Sequence, residues 1–240
     1  MSSSSPSPPC SGTVVPRKLW EHPDPGSTDM WRFIQHLNEK RGLSLSTFDD
    51  LHRWSLAERS AFWSEVFDAA NFIHSGSYRQ VVDESLPIDA VPQWFPGVTL
   101  NYAENILYTR ATPGGSPDQR GIVGKEEAKT ALTEVREGAS AHRDMTYGEL
   151  RAVAGKLAAA MKARGVTKGD RVVVVGANSL ETLCVWLATA WLGAIFSSSS
   201  TDMGVQGILQ RAVQVNPKVG SPTLSSRSCQ LILYPAAVYG

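Results

Sequence analysis

The chain has 240 residues, 42% of them hydrophobic and 19% charged, which suits a globular protein of one large domain or two small ones. Lys plus Arg and Asp plus Glu are equal at 23 each, so there is no electrostatic footprint for nucleic acid or for an anionic membrane surface. The three cysteines, Cys10, Cys184 and Cys229, are too sparse for a disulfide framework or a zinc site, and no apolar run approaches the ~18 residues of a membrane span.

Residues 1–27 are rich in Ser and Pro and are expected to form a disordered tail. They have neither the basic start nor the apolar centre of a secretory signal, so a cytosolic, reducing location is expected. Met30, Ile34 and Leu37, with Phe33 beside them, mark one face of a helix that Gly42 is placed to end. Thr47 and Asp50 form an N-cap pattern ahead of Phe48, Leu51 and Trp54. Ser55-Leu56-Ala57-Glu58 reads as a capping box for a further helix, with Phe62, Trp63, Val66, Phe67 and Ala70 behind it. Aromatics at helical spacing pack a core, so residues 28–108 are expected to be a helical layer docked on something larger. Within it, Asn101 and Asn105 are expected to fix the turn after Gly97.

Residues 109–121, with Pro113-Gly114-Gly115 and Pro117, read as a surface loop. Leu132, Val135 and Met145 predict one or two short strands, and Lys125, Glu126, Glu127 and Lys129 read as a solvated charge run. Thr146-Tyr147-Gly148-Glu149 is a second capping box, opening a helix through Leu150, Val153, Leu157 and Met161 that Gly165 ends. Arg171-Val172-Val173-Val174-Val175-Gly176 is a strand whose unbroken β-branched run requires burial on both faces. Asn178-Ser179 can open a helix from Leu180 to Leu192, with Asn178 either capping it or lining a crevice. A strand at Ala194–Ser197 and a helix from Val205 to Val213, stopped at Asn216-Pro217, follow.

This alternation predicts an α/β protein, with an incomplete doubly wound parallel sheet over residues 109–219. Ligands of such sheets sit beyond the carboxyl ends of the strands, here at Gly176–Ser179 and Ser197–Gly204. Residues 220–240 are polar and turn-rich, and only Leu231-Ile232-Leu233-Tyr234 resembles a strand. No Gly-x-Gly-x-x-Gly fingerprint follows Val175, which argues against a nicotinamide-dependent oxidoreductase.

Several blocks carry a resemblance. Trp94-Phe95-Pro96-Gly97-Val98-Thr99-Leu100-Asn101-Tyr102-Ala103-Glu104-Asn105 resembles the entry segment of AMP-forming acyl-CoA synthetases acting on short acids. Leu19–Pro23, Asp49–Ser55 and Phe62-Trp63 resemble the N-terminal portion of the acetoacetyl-CoA synthetase family, with acetyl- and propionyl-type ligases as close rivals. Gly165-Val166-Thr167-Lys168-Gly169-Asp170-Arg171-Val172, Leu192–Ser198 and Asn216-Pro217-Lys218 are similar to the wider adenylate-forming superfamily.

The resemblance implies a ligase using ATP, Mg2+ and CoA, with acetoacetate as the acid. These 240 residues are expected to be an N-terminal fragment that is inactive alone. Neither a Gly-x-x-x-x-Gly-Lys-[Ser/Thr] motif nor a Ser/Thr-Gly-rich run ending in Lys occurs, and Gly121-Ile122-Val123-Gly124-Lys125 lacks the hydroxyl after Lys. No catalytic residue and no metal ligand is therefore assigned. The resemblance carries over a pantetheine-side, CoA-binding role for Thr201, Asp202 and Gly204, against the alternative that Thr201 and Asp202 simply cap a helix. A noncatalytic binding or regulatory module is the alternative for the chain as a whole.

Overall fold

The computed structural model describes residues 19–222, apart from 113 and 140–141. Most of the expected tail, Cys10, Cys229 and the strand expected at Leu231–Tyr234 lie outside the described residues. The chain divides into two compact units, one ending at Arg59 and the other beginning at Ser60.

The first unit holds α1 (Asp29–Arg41) and α2 (Phe48–Ala57). Thr28 caps α1 by accepting from the Trp31 amide, and Gly42 ends it at φ 65°, a left-handed conformation that costs glycine little. Ile34 and Leu37 are buried, whereas Met30, placed by its spacing on the same face, is 48% exposed. The capping box at Thr47 and Asp50 is complete, and its hydrogen bonds hold the Asp50 carboxyl well below the usual carboxylate range.

The capping box expected at Ser55–Glu58 does not form. Ser55 lies inside α2 and its hydroxyl donates to the His52 carbonyl at 2.8 Å. The break falls at Glu58 (φ −120°, ψ 55°), and α3 (Arg59–Ala70) starts directly after it.

In the second unit Phe67 of α3 anchors an aromatic cluster with Phe72, His74, Tyr78 and Phe95, at centroid distances of 4.7–5.7 Å. The Pro-Gly turn beside it is sterically required. Gly97 has φ 96°, and a Cβ there would stand 2.5 Å from the Ser77 carbonyl oxygen. The short helix α4 (Tyr102–Leu107) comes next. Ala103 and Leu107 are fully buried with Leu150, Ala154, Cys184 and Leu187, so α4 shares a core with the later helices. Asn101 caps α4 through the Glu104 amide and donates to the Ala190 and Trp191 carbonyls at 3.2 and 3.0 Å. Asn105 brackets Ile73, accepting from its amide at 2.8 Å and donating to its carbonyl at 2.9 Å. Both asparagines join distant segments and do more than fix a turn.

β1 (Thr109–Arg110) pairs with β2 (Arg120–Gly121), and β3 (Thr130–Val135) with β4 (His142–Thr146), both antiparallel. The Thr146–Glu149 capping box forms and opens α5 (Tyr147–Ala163). Gly165, at φ 83°, reverses the chain so that the Val166 amide returns to the Met161 carbonyl. β5 (Arg171–Val175), α6 (Leu180–Trp191), β6 (Ile195–Ser199), α7 (Val205–Val215) and β7 (Val219–Pro222) complete the described fold. The three strands are parallel in the order β6-β5-β7. As its composition requires, central β5 has Val172, Val173 and Val174 all buried. β7 lies partly within the stretch expected to be irregular. Its backbone pairs with β5 from Val219 to Pro222, and a ladder of main-chain bonds does not need apolar side chains.

The Lys-Gly-Asp-Arg turn ties these elements together. Asp170 accepts from the Thr167 amide at 2.7 Å, the Thr167 hydroxyl at 2.9 Å and Lys218 Nζ at 3.0 Å. Arg171 donates to the Val215 and Asn216 carbonyls at 3.1 and 2.8 Å, at the carboxyl end of α7. The Thr167 amide, with help from Lys218, holds the Asp170 carboxyl down to about 2, against an ordinary 3.8. A depressed folded pKa means that the stabilisation is present above 3.8 and is lost as pH falls through about 2. Asp170→Asn is therefore expected to lower the urea midpoint at pH 7, with the gap to the parent chain closing between 3.8 and about 2. A gap that does not change over that window would assign the loss to packing instead.

Candidate functional site

The carboxyl ends of the parallel strands gather the two expected loops. After β6, Ser200 accepts from the Asp202 amide at 3.2 Å, and the Met203 amide donates to the Ser200 carbonyl at 3.3 Å. Thr201 and Asp202 are exposed. Neither caps the following helix: the N-cap of α7 is Gly204, at φ −59° and ψ 159°, with no side-chain cap and no acidic residue in the first turn. The first amides of α7 therefore lack the side-chain acceptor that usually satisfies them. A Cβ on Gly204 would meet nothing within 4 Å, so this face of the loop is open.

After β5, the N-cap of α6 is Ser179, whose hydroxyl accepts from the Thr182 amide at 3.3 Å. Asn178 is not the cap, contrary to one of the two readings, and lines a cleft of about 490 Å³ with Glu134, Ser179, Trp186, Phe196 and Ser198. Glu134 was not recognisable as a site residue from sequence. It is 8% exposed, and its carboxylate lies 3.2 Å from Arg143 and 2.7 Å from Arg136. It also accepts from the Leu180 amide at 3.3 Å, in the first turn of α6. That carboxylate already complements the helix dipole, so this helix end does not offer itself to a phosphate. The only hint in the sequence is a Glu in a strand with Arg136 and Arg143 nearby.

Lys125 departs from the expected solvated run. Its Nζ donates to the Asn105 and Tyr108 carbonyls at 2.6 and 2.7 Å. Burial, then the neighbouring Arg151, pushes its pKa below the ordinary value. It holds the end of α4. Cys184 is buried, and desolvation raises its thiol to about 11, so it behaves as a core side chain. Among the described residues no three of His, Cys, Asp or Glu come together to hold a metal ion.

Comparison with known proteins agrees with this geometry. Residues 48–106 match the acetyl-coenzyme A synthetase N-terminus family, and residues 122–220 match the AMP-binding enzyme family. The chain is thus similar to AMP-binding enzymes over the part that holds the parallel sheet, and to acetyl-coenzyme A synthetases over the part before it. It is also similar to acetoacetyl-CoA synthetases. It is 40% identical to that of Macaca fascicularis over 201 residues, which is 84% of this chain and 28% of the relative. It is 37% identical to the malonamoyl-CoA synthetase of Penicillium aethiopicum over 84% of this chain and 26% of that enzyme. The solved acetoacetyl-CoA synthetase from Streptomyces lividans superposes with a TM-score of 0.68 at 34% identity, over 80% of this chain and 27% of that one. The chain thus spans about a quarter of the length of the relatives it matches.

Proposed function

We propose that these residues supply the CoA-facing part of an acetoacetate–CoA ligase. In that reaction the acetoacetate carboxylate attacks the α-phosphorus of ATP and pyrophosphate leaves. The CoA thiolate then attacks the acyl carbon and AMP leaves. Homology to acetoacetyl-CoA synthetases over 84% of the chain is the observation that carries this reading. The open loop Thr201–Gly204, with the uncapped start of α7 behind it, supports a place for the pantetheine arm. This reading leaves the triphosphate and Mg2+ to other residues of the ligase. A cytosolic location belongs to the same proposal and is supported by Cys184 standing as a free buried thiol. Among the described residues no helix is long and apolar enough to cross a membrane.

The test is a graft. Residues 19–218 replace the matching part of the Streptomyces lividans enzyme, and acetoacetate-dependent CoA consumption is measured. Activity is expected, and a folded but inert graft would contradict the reading. In the active graft, Gly204→Trp projects into open space and is expected to raise KM for CoA about tenfold, with ATP–pyrophosphate exchange unchanged. An unchanged KM would remove the loop from the CoA path.

A further inference from the structure

A cavity of about 510 Å³ lies where the end of α3 meets β1. None of its lining residues belongs to the parallel strands or to the loops beyond their carboxyl ends. Its volume is in the range of small-molecule sites. Phe67 and Phe72 give it an apolar wall, with ring centroids 5.7 Å apart. His74 continues that wall, its ring 5.1 Å from that of Phe67.

Arg110 brings a positive charge to the cavity. On β1 it stands opposite Arg120 of β2, and the two guanidiniums are treated differently. Arg120 Nε donates to the Glu104 carboxylate, which neutralises it. Arg110 finds neutral acceptors instead. Its Nη1 donates to Asn71 Oδ1 at 3.4 Å, and its Nη2 to the Gly115 carbonyl. Asn71 is held at φ 48°, a left-handed conformation that asparagine tolerates better than most residues. The Nε–H of Arg110 is buried and has no hydrogen-bond partner among the described residues, and the same is true of His74 Nδ1. Buried polar groups are paired as a rule, so two orphaned nitrogens in the lining of one cavity call for an acceptor. The arginine supplies a charged donor, and the imidazole a second donor in its Nδ1–H tautomer.

The charge balance selects the acceptor. The exposed Asp68 carboxylate also lines the cavity, so Arg110 can favour one added negative charge but not two. That suits a carboxylate better than a phosphate dianion, and the Phe67–Phe72 wall suits an apolar body attached to it.

We propose that this cavity binds a small monocarboxylate with an apolar body, its carboxylate on Arg110 and its body against Phe67 and Phe72. The test titrates the full 240-residue chain, labelled for NMR, with sodium benzoate. Saturable shifts of the Arg110 Nε–H and of the Phe72 ring protons are expected. Benzamide, which has the same shape and no charge, is expected to bind at least about tenfold more weakly, the usual worth of a charge-assisted hydrogen bond. Inorganic phosphate is expected to give no saturable shift at the same concentrations. Arg110→Gln and Phe72→Ala are each expected to weaken benzoate about tenfold, with unshifted β5 amides showing that the variants are folded. The benzoate and benzamide arms read the parent chain and need no variant. No saturable shift at Arg110 with benzoate, or equal affinity for benzoate and benzamide, overturns the proposal. Phosphate binding as tightly as benzoate, with Phe72→Ala without effect, would make this a general anion site and overturn it equally.

Discussion

Arg151→Ala is expected to lower the unfolding free energy by about 3 kcal/mol, because it strips a buried carbonyl of its charged donor. Arg151 is 8% exposed on α5. Its guanidinium donates to the Leu107 carbonyl at 2.7 Å, to the Lys125 carbonyl at 3.0 Å and to the Glu127 carboxylate at 3.0 Å. It also lies 5.4 Å from the Tyr108 ring centroid and 5.9 Å from that of Tyr147. Leu107 ends α4, whose last carbonyls have no partner inside the helix. Arg151 and Lys125 supply those partners from two different segments. The Glu127 contact contributes least, since that side chain is 68% exposed. Arg151→Lys is expected to recover less than half of the loss, because an ammonium lacks the planar fork that reaches both carbonyls. Urea unfolding with an unchanged m-value measures both variants. A loss below about 1 kcal/mol for Arg151→Ala would show that water replaces the donor and that the end of α4 is not held in this way.

Leu187→Ala carries the other large effect, about 2–5 kcal/mol. Leu187 is fully buried on α6, in the cluster where α4, α5 and α6 meet through Leu107, Leu150 and Ala154. Removing its side chain leaves a cavity among three helices that also carry backbone contacts and cannot easily collapse. Leu209→Ala is the control. Leu209 sits on α7 in a stripe with Val205 and Val213, and all three are more than half exposed. That substitution is expected to change stability by less than about 0.5 kcal/mol. Equal losses at the two positions would mean that the α7 stripe is covered and the core is elsewhere.

The α/β pattern was legible because its signals are local. The β5 valine run, the Thr47 and Thr146 boxes and Gly42 and Gly165 act over a few residues, and each appears where its chemistry places it. The less legible features depend on contacts distant in sequence. Asn101 reaches residues about 90 positions away, Lys125 finds carbonyls of α4, and Glu134 meets the start of α6. Single-residue types carry no mark of such partners. Ser55 shows the opposite failure, a complete local motif overridden when α2 ran through it. In the candidate site, Thr201 and Asp202 have good capping chemistry, yet the chain geometry gives the cap to Gly204. Thr201 and Asp202 thus carry no mark in their own chemistry of the CoA-side role that the resemblance implies.

We propose that this chain supplies the sheet and CoA-side loop of an acyl-CoA synthetase and leaves the triphosphate to residues outside the described ones. Acetoacetate-dependent exchange of labelled pyrophosphate into ATP, with the purified 240-residue chain, tests it most directly. Exchange no faster than in the absence of protein is expected, with or without Mg2+. Exchange that is saturable in both ATP and acetoacetate would contradict it, by revealing a phosphate-holding lysine where none has been recognised.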